Sequence, residues 1–233
     1  TKHIFLNFFS VEKYGKSYVE KFIKNAKDKG IKVHIWMQEF YKSGKWYYPV
    51  KKGKLNYDLI NKKVKEAKKY AKLKVVAGVH FDYIRFPGNA YKYENAVKAV
   101  NYFTKKASNA VHKINSKLVV SAAIMPELSS LKKYYAQDIP TMSKYLDAIV
   151  PMVYKGNYHA GYSWVYSVTK QIVKMSKGAQ IWTGLQTYRS DEDLTLVPNS
   201  ELTNDADYAG FAGAKGVILF RFGLINGFDF TKL

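Results

Sequence analysis

The sequence contains no cysteine. Disulfide bonds, thiolate nucleophiles and cysteine-based metal sites are therefore excluded, although this absence does not assign a cellular compartment. Long apolar runs are also missing. The longest, LVVSAAIM at 118–125, has the length of a strand, whereas a membrane-spanning helix needs about 20 apolar residues. We therefore expect no membrane span.

Arginine is scarce, since only three of the 38 basic residues are arginine. With 18 acidic residues the formal net charge is +20, which indicates affinity for an anionic partner such as a cell wall, an acidic polymer or nucleic acid. Arginine is the preferred residue for bidentate contacts to phosphates and base edges. The lysines fall in helical stretches such as KKVKEAKKYAKLK, at spacings typical of solvated outer faces. We therefore expect no nucleic-acid partner.

Apolar and amphipathic segments alternate along the whole chain. Runs rich in β-branched and apolar residues predict seven strands, at 3–9, 33–38, 78–84, 118–125, 148–154, 180–186 and 216–222. Amphipathic stretches between them predict six helices, near 17–29, 56–72, 92–115, 130–145, 163–177 and 203–213. This alternation favours a parallel sheet with helical crossovers.

The pattern predicts an α/β fold, a TIM (β/α)8-type barrel formed by one domain over residues 1–233. An open sheet that binds a dinucleotide is disfavoured, because no glycine-rich phosphate loop follows the first strand. Eight strands are usual in such a barrel and seven are visible. One βα unit therefore either precedes Thr1 or is absent.

Asp82 is the strongest catalytic candidate. Barrel active sites lie at the carboxyl ends of the strands, and Asp82 ends the third predicted strand, on the same face as His80. A carboxylate among apolar neighbours needs a partner, and Arg85 can provide one. The alternative is that Asp82 and Arg85 form a structural ion pair that supports the end of the strand.

Glu127 supplies a second carboxyl, because it directly follows the fourth predicted strand. Two carboxyls across a cleft are what hydrolysis of a glycosidic bond needs, one to donate a proton and the other to attack or to activate water. Glu127 can equally be a loop residue near the start of the next helix. Glu39, which follows the second strand, is a rival for the same role.

Signals for other chemistries are weak or missing. His80, Asp82 and His159 can in principle converge on a metal ion, but no local pair of ligands at metal-binding spacing supports this. The chain lacks the Gly-x-Ser-x-Gly, Walker and His-Glu-x-x-His motifs of serine hydrolases, nucleotidases and zinc proteases. We expect neither a metal nor another cofactor.

Aromatic residues are dense in two loops near the predicted barrel mouth. The loops contain Tyr41, Trp46, Tyr47 and Tyr48, and Tyr154, Tyr158, Tyr162 and Trp164. Flat apolar rings with polar rims suit the apolar faces of sugars, although the same composition also suits a core or a protein interface.

Several motifs together resemble one known group of proteins. The segment FDYIRFPG resembles the FDYxRFP signature of glycoside-hydrolase-like barrels from bacterial and archaeal extracellular proteins. The stretch LDAIVPMVYKGNYHAG is similar to their D-x-x-x-PMVY segment, IWTGLQTY to their PWLQ strand, and GVILFRFG to their last strand. GIKVHIWMQEF with GKWYYP is similar to their second strand and the loop after it. The resemblance spans nearly the whole chain in the right order.

This resemblance implies a TIM barrel whose first βα unit lies before Thr1, and polysaccharide hydrolysis with Asp82 in the site. Related barrels that degrade galactosaminogalactan pair an aspartate with a glutamate, to which Asp82 and Glu127 correspond. Two departures affect the expected substrate contacts. PMVY continues here as KGNYH rather than Pro-Ser-His-Tyr, and Thr183 replaces the proline of PWLQ.

The resulting hypothesis is a secreted or cell-surface, monomeric, endo-acting glycosidase that cleaves a cell-wall or extracellular polysaccharide. Glu127 would be the general acid and Asp82 the nucleophile, base or stabiliser. The expected substrate-binding residues are His80, Arg85, Glu39, Trp46, Tyr154, His159, Gln186, Tyr188 and Arg221. The main alternative is a non-catalytic barrel that binds carbohydrate or cell wall, and a third is a basic nucleic-acid-binding domain.

Overall fold

The computed structural model describes residues 2–225 and residue 228, so both ends of the predicted 1–233 domain lie outside the described residues. Seven parallel strands form one sheet, and each pairs with its neighbour in chain order. The strands are β1 (His3–Asn7), β2 (Lys32–Gln38), β7 (Gly78–Asp82), β8 (Val119–Ile124), β9 (Ala148–Pro151), β10 (Gln180–Gln186) and β11 (Gly216–Phe220). The predicted parallel α/β architecture with seven strands is therefore confirmed.

The loop after β2 contains two small antiparallel ribbons that the sequence pattern did not predict. They are formed by β3 (Tyr41–Lys42) with β4 (Lys45–Trp46), and by β5 (Val50–Lys51) with β6 (Lys54–Leu55). Each ribbon turns through two residues with positive φ, of which the second is Gly44 or Gly53. Paired positive φ angles suit tight hairpin turns and favour glycine. The ribbons hold the aromatic loop in place above the end of β2.

Helices connect the strands on the outside of the sheet. They are α1 (Phe9–Tyr14), α2 (Lys16–Asp28), α3 (Tyr57–Ala71), α4 (Ala96–His112), α5 (Ile139–Met142), α6 (Tyr162–Met175) and α7 (Asn199–Phe211). Five of the six predicted helices correspond to α2, α3, α4, α6 and α7. The continuous helix predicted at 130–145 is wrong. A π-type turn at Leu131–Tyr135 ends at Ala136, which has a left-handed φ of 61°, and α5 is a separate short helix.

The hydrophobic core lies between the outer face of the sheet and the helices. Alternate strand residues such as Val79 and Phe81 are fully buried there, and Phe103 of α4 packs on Phe81 with ring centres 5.5 Å apart. In α3 the side chain of Asn56 accepts a hydrogen bond from the Leu59 N–H, which caps the helix start. This layer fixes which strand residues point outward, and so which point into the curl of the sheet.

The sheet curls so that residues of non-adjacent strands meet on its inner face. The Trp36 ring of β2 lies 6.2 Å from Phe220 of β11, and His3 of β1 lies 5.3 Å from Trp182 of β10. His34 and His3 are hydrogen bonded at 2.8 Å, and burial lowers the pKa of His34 to about 3. The interior is thus packed with neutral rings, and polar chemistry is left to the carboxyl ends of the strands.

No helix among residues 2–225 has the length and apolar character needed to cross a bilayer.

Candidate active site

Asp82 is held at the carboxyl end of β7 by two donors. The Trp36 indole N–H donates to Asp82 Oδ2 at 3.0 Å, and the Tyr83 backbone N–H donates to Oδ1 at 2.6 Å. Tyr83 has a left-handed φ of 51°, so the chain turns sharply just after the carboxylate. Burial raises the pKa of Asp82, partly offset by these two hydrogen bonds and by the charge of Arg85. Asp82 is thus a fixed carboxyl with an increased tendency to hold a proton.

Glu127 follows β8, the strand next to β7 in the sheet, and is partly buried. Its Oε1 accepts hydrogen bonds from the hydroxyl groups of Tyr158 at 2.7 Å and Tyr135 at 3.0 Å. Its Oε2 is buried and has no hydrogen-bond partner. The two phenols therefore hold the Glu127 carboxyl in one orientation after the end of β8.

Arg85 packs against the aromatic residues that lie next to the two carboxyl groups. Its guanidinium centre lies 5.4 Å from the ring of Tyr83, which follows Asp82, and 5.6 Å from the ring of Tyr135, which binds Glu127. Trp46 covers the same guanidinium at 5.0 Å. Burial raises the pKa of both Asp82 and Tyr135, and the charge of Arg85 offsets part of that rise. Arg85 is therefore a cation packed among the aromatic rings beside the carboxyls, without a direct ion pair to Asp82 in the described part of the chain.

Gln186, at the end of β10, is part of a polar network on the other side of the mouth. Its amide N–H donates to Asn157 Oδ1 and to Asp191 Oδ1, both at 3.3 Å, while its own Oε1 is buried without a partner. The Tyr188 hydroxyl donates to the same Asp191 oxygen at 3.0 Å. Gln186 and Tyr188 also line a cavity of about 330 Å³ that extends between the loops after β9 and β10.

Tyr154 lies between this network and Asp82. Its ring stacks on Phe220 with centres 5.6 Å apart. Burial raises the pKa of Tyr154 well above its usual value, and the negative charge of Asp82 adds to the effect. The hydroxyl therefore stays protonated and can act as a donor at the mouth.

Two expected substrate-binding residues lie behind the mouth. His80 is 7% exposed, and its Nδ1 is 2.9 Å from Ser121 Oγ inside the curl of the sheet; burial lowers its pKa to about 3. Glu39 is 0% exposed and neither carboxyl oxygen has a partner. Burial raises the pKa of Glu39 to about 8, although Lys63 acts in the opposite direction. Neither side chain is accessible from the mouth.

The remaining expected contacts are at the periphery. His159 is exposed and lines the 330 Å³ cavity. Arg221 is exposed, with its guanidinium centre 5.8 Å from the Tyr188 ring. Within residues 2–225 no group of three or more histidine or carboxylate side chains is arranged to hold a metal ion.

Three site residues were not identified from the sequence. Trp36 was detectable, because it alternates with His34 and Gln38 on the inward face of β2. Tyr135 lies in the irregular turn Leu131–Tyr135, where no periodic pattern marks its direction. Asp191 lies in a loop after β10, and its contact with Gln186 arises from a chain reversal that spacing alone does not indicate.

Comparisons with known structures identify similar folds. The glycoside hydrolase domain of PgaB (BpsB) from Bordetella bronchiseptica matches with a TM-score of 0.66 at 12% identity, covering 85% of this chain and 73% of that one. A class V chitinase from Pseudomonas fluorescens Pf-5 matches with a TM-score of 0.68 at 15% identity, covering 93% and 84%. The spore cortex-lytic enzyme SleL from Bacillus megaterium QM B1551 matches with a TM-score of 0.65 at 15% identity, covering 91% and 60%. These likenesses confirm the predicted barrel-type fold.

Among curated proteins no sequence match was found. Residues 38–180, more than half of the chain, match the family described as "Putative glycosyl hydrolase domain". That range begins at the last residue of β2 and contains the aromatic loop, Asp82, Glu127 and Tyr158. The chain therefore belongs to this glycosyl hydrolase domain family.

Proposed function

We propose that this domain hydrolyses internal glycosidic bonds of a cell-wall or extracellular polysaccharide, using Asp82 and Glu127 as its two carboxyl groups. The observation that carries the proposal is their placement. Asp82 ends β7 and Glu127 follows the neighbouring parallel strand β8. The Arg85 guanidinium lies over the rings of Tyr83, next to Asp82, and of Tyr135, which binds Glu127. Hydrolysis of a glycosidic bond requires such a pair.

The surroundings of the two carboxyls favour different roles. Asp82, whose pKa is raised by burial, is the proton donor to the leaving oxygen. Glu127, which two phenol donors orient through Oε1, is the carboxyl that attacks the sugar or activates water. This reverses the roles expected from the sequence. The expectation rested on position after the strands, whereas the reversal rests on the burial that raises the pKa of Asp82 and so suits it to donate a proton.

Aromatic and polar groups around the carboxyls suit a sugar polymer. Trp46 and Tyr83 lie on one side of Arg85, and Tyr158 stacks on Trp164 at 4.9 Å on the side of Glu127. We assign substrate contacts to Arg85, Trp46 and Tyr154, with His159 and Arg221 at the edges. Gln186 and Tyr188 are only 5% and 3% exposed, and they hold the loop that contains Asp191. His80 and Glu39 support the site from behind. Aromatic surfaces on both sides of the carboxyls favour an endo-acting enzyme, which binds sugars on both sides of the cleaved bond.

A wall or extracellular glycan is favoured by the kinds of protein that share the fold. They include a class V chitinase and a spore cortex-lytic enzyme. We infer such a glycan as the substrate here, and with it a secreted or cell-surface location and action as a monomer.

Release of reducing ends from a panel of wall and extracellular polysaccharides tests this function. Wild type is compared with Asp82→Asn, Glu127→Gln and the control Asp207→Asn, which alters an exposed carboxylate on α7. We expect release by wild type and the control, and a loss of about 10²–10⁴-fold in both carboxyl variants. Tight binding of wild type to one preparation with no release from any would instead support a non-catalytic binding barrel.

A further inference from the structure

The positive charge of this protein is confined to one half of the chain. Residues 1–117 contain 27 lysines and arginines against 8 acidic residues, a net charge of +19, whereas residues 118–233 contain 11 against 10, a net charge of +1. If the lysines served only solubility, we would expect them in both halves of the sequence rather than in one.

The fold places this half on one side of the molecule. Helices α2, α3 and α4 follow β1, β2 and β7, which are consecutive strands at one end of the sheet. We call their outer surface the lysine flank. Helices α6 and α7 cover the other end, and α7 contains no lysine but includes Glu201, Asp205 and Asp207. The excess of positive charge in residues 1–117 therefore lies on one side of the protein surface.

The arrangement on α3 is the clearest. Lys62, Lys65, Lys69 and Lys72 are exposed and recur at intervals of three and four residues, so they form one row about 15 Å long. None of the four makes an ion pair within the described part of the chain, since the salt bridge on this helix joins Lys63 and Glu66. Like charges at this spacing repel one another. An unpaired row of cations therefore destabilises the free helix and is stabilised by a bound polyanion.

The neighbouring helix α4 adds further lysines to the lysine flank. Lys106 of α4 donates to Asn61 of α3 at 2.7 Å, which ties the two helices together beside the row. Lys98 and Lys105 are exposed on α4 two turns apart. The surface is thus broader than one helix and has several positions for an extended chain.

We propose that the lysine flank binds an anionic polysaccharide and holds the polymer on the outside of the barrel, away from the carboxyl pair. The choice of polysaccharide over nucleic acid rests in part on the proposed function. It also rests on the cations themselves, because the flank presents lysines only and the one arginine of residues 1–117, Arg85, is in the active site. Lysine gives a diffuse charge attraction, whereas base and phosphate reading favours arginine.

Binding to immobilised polygalacturonate tests the flank, with uncharged amylose and duplex DNA as comparison ligands. The flank variant combines Lys62→Gln, Lys65→Gln, Lys69→Gln and Lys72→Gln. The control variant combines Lys144→Gln, Lys170→Gln, Lys174→Gln and Lys177→Gln, which remove the same charge from exposed positions in the other half. Circular dichroism and thermal melting check that both variants fold.

We expect wild type to bind polygalacturonate in preference to amylose and DNA, with an affinity that falls as salt rises. The flank variant should bind on the order of tenfold more weakly and the control variant within about twofold of wild type. Equal losses in both variants, or no loss in either, would overturn the proposal by showing that location does not matter. Stronger binding to DNA than to polygalacturonate would replace it with a nucleic-acid surface. The assay measures binding and not turnover, so its result can be interpreted even if the proposed hydrolysis fails.

Discussion

The Tyr158 hydroxyl donates a 2.7 Å hydrogen bond to Oε1 of Glu127, across 31 residues of sequence. Burial and this bond raise the pKa of Tyr158 well above its usual range, so the hydroxyl stays protonated and acts as the donor. Tyr135 donates to the same oxygen. The loops after β8 and β9 therefore both contribute a donor that orients the Glu127 carboxyl.

Replacing Tyr158 by Phe removes one of the two hydrogen bonds that orient the Glu127 carboxyl, and such a bond contributes about 0.5–1.5 kcal/mol. We expect kcat to fall by roughly tenfold, because the carboxyl is then less well positioned for reaction. Tyr166→Phe is the control, because that hydroxyl contacts Lys170 on the outside of α6. An unchanged kcat in Tyr158→Phe would contradict this orienting role of Tyr158.

The variant Trp36→Phe tests the role of Asp82 as proton donor. The hydrogen bond from the Trp36 indole lowers the pKa of Asp82, so Trp36→Phe should raise that pKa further. If Asp82 donates a proton, the basic limb of the pH–rate profile then shifts to higher pH, by about one unit. Trp182→Phe removes an indole whose N–H contacts Gln180 instead, and should leave the limb in place. A shift of the basic limb to lower pH in Trp36→Phe would oppose the proton-donor role.

Glu39 should make the protein less stable as pH rises. Its pKa is about 8 in the folded state and about 4.5 when unfolded, so the folded state holds the extra proton between these values. The stabilisation is fully present below pH 4.5 and is lost as pH rises through 8. Glu39→Gln removes this dependence. The free energy of unfolding of the variant relative to wild type should grow by up to about 1.4 kcal/mol per pH unit in that window, measured by urea unfolding. A difference independent of pH would mean that Glu39 is ionised in the fold.

Strand positions were predictable because each strand is a short run rich in β-branched and apolar residues, whose outer face is buried under the helices. Asp82 and Glu127 were identified because both follow such strands, and the fold brings those strands together as neighbours. The partners of the two carboxyls were harder to predict. Tyr135 depends on a π-type turn and a left-handed Ala136 that break the expected helix at 130–145. Glu39 was expected to contact substrate, but the sequence does not indicate that it is 0% exposed.

The roles of the carboxyls also required the structure. Sequence order places Asp82 and Glu127 after neighbouring strands but contains no information about which oxygen accepts which donor. The two phenols on Glu127 come from loops that follow different strands, and Trp36 reaches Asp82 from β2 across 46 residues. Such hydrogen bonds join segments that are separate in the sequence, and residue spacing does not encode them.

The most direct test of the central claim, a carboxyl pair with Asp82 as proton donor, is the dependence of cleavage on the leaving group. The substrates are aryl glycosides of the sugar that the polysaccharide panel identifies, with good and poor leaving groups. Asp82→Asn should retain cleavage of the good leaving group, which needs no protonation, and lose the poor one and the polymer. Glu127→Gln should lose all three. The opposite pattern would contradict the assigned roles, and unchanged cleavage in both variants would contradict the pair itself.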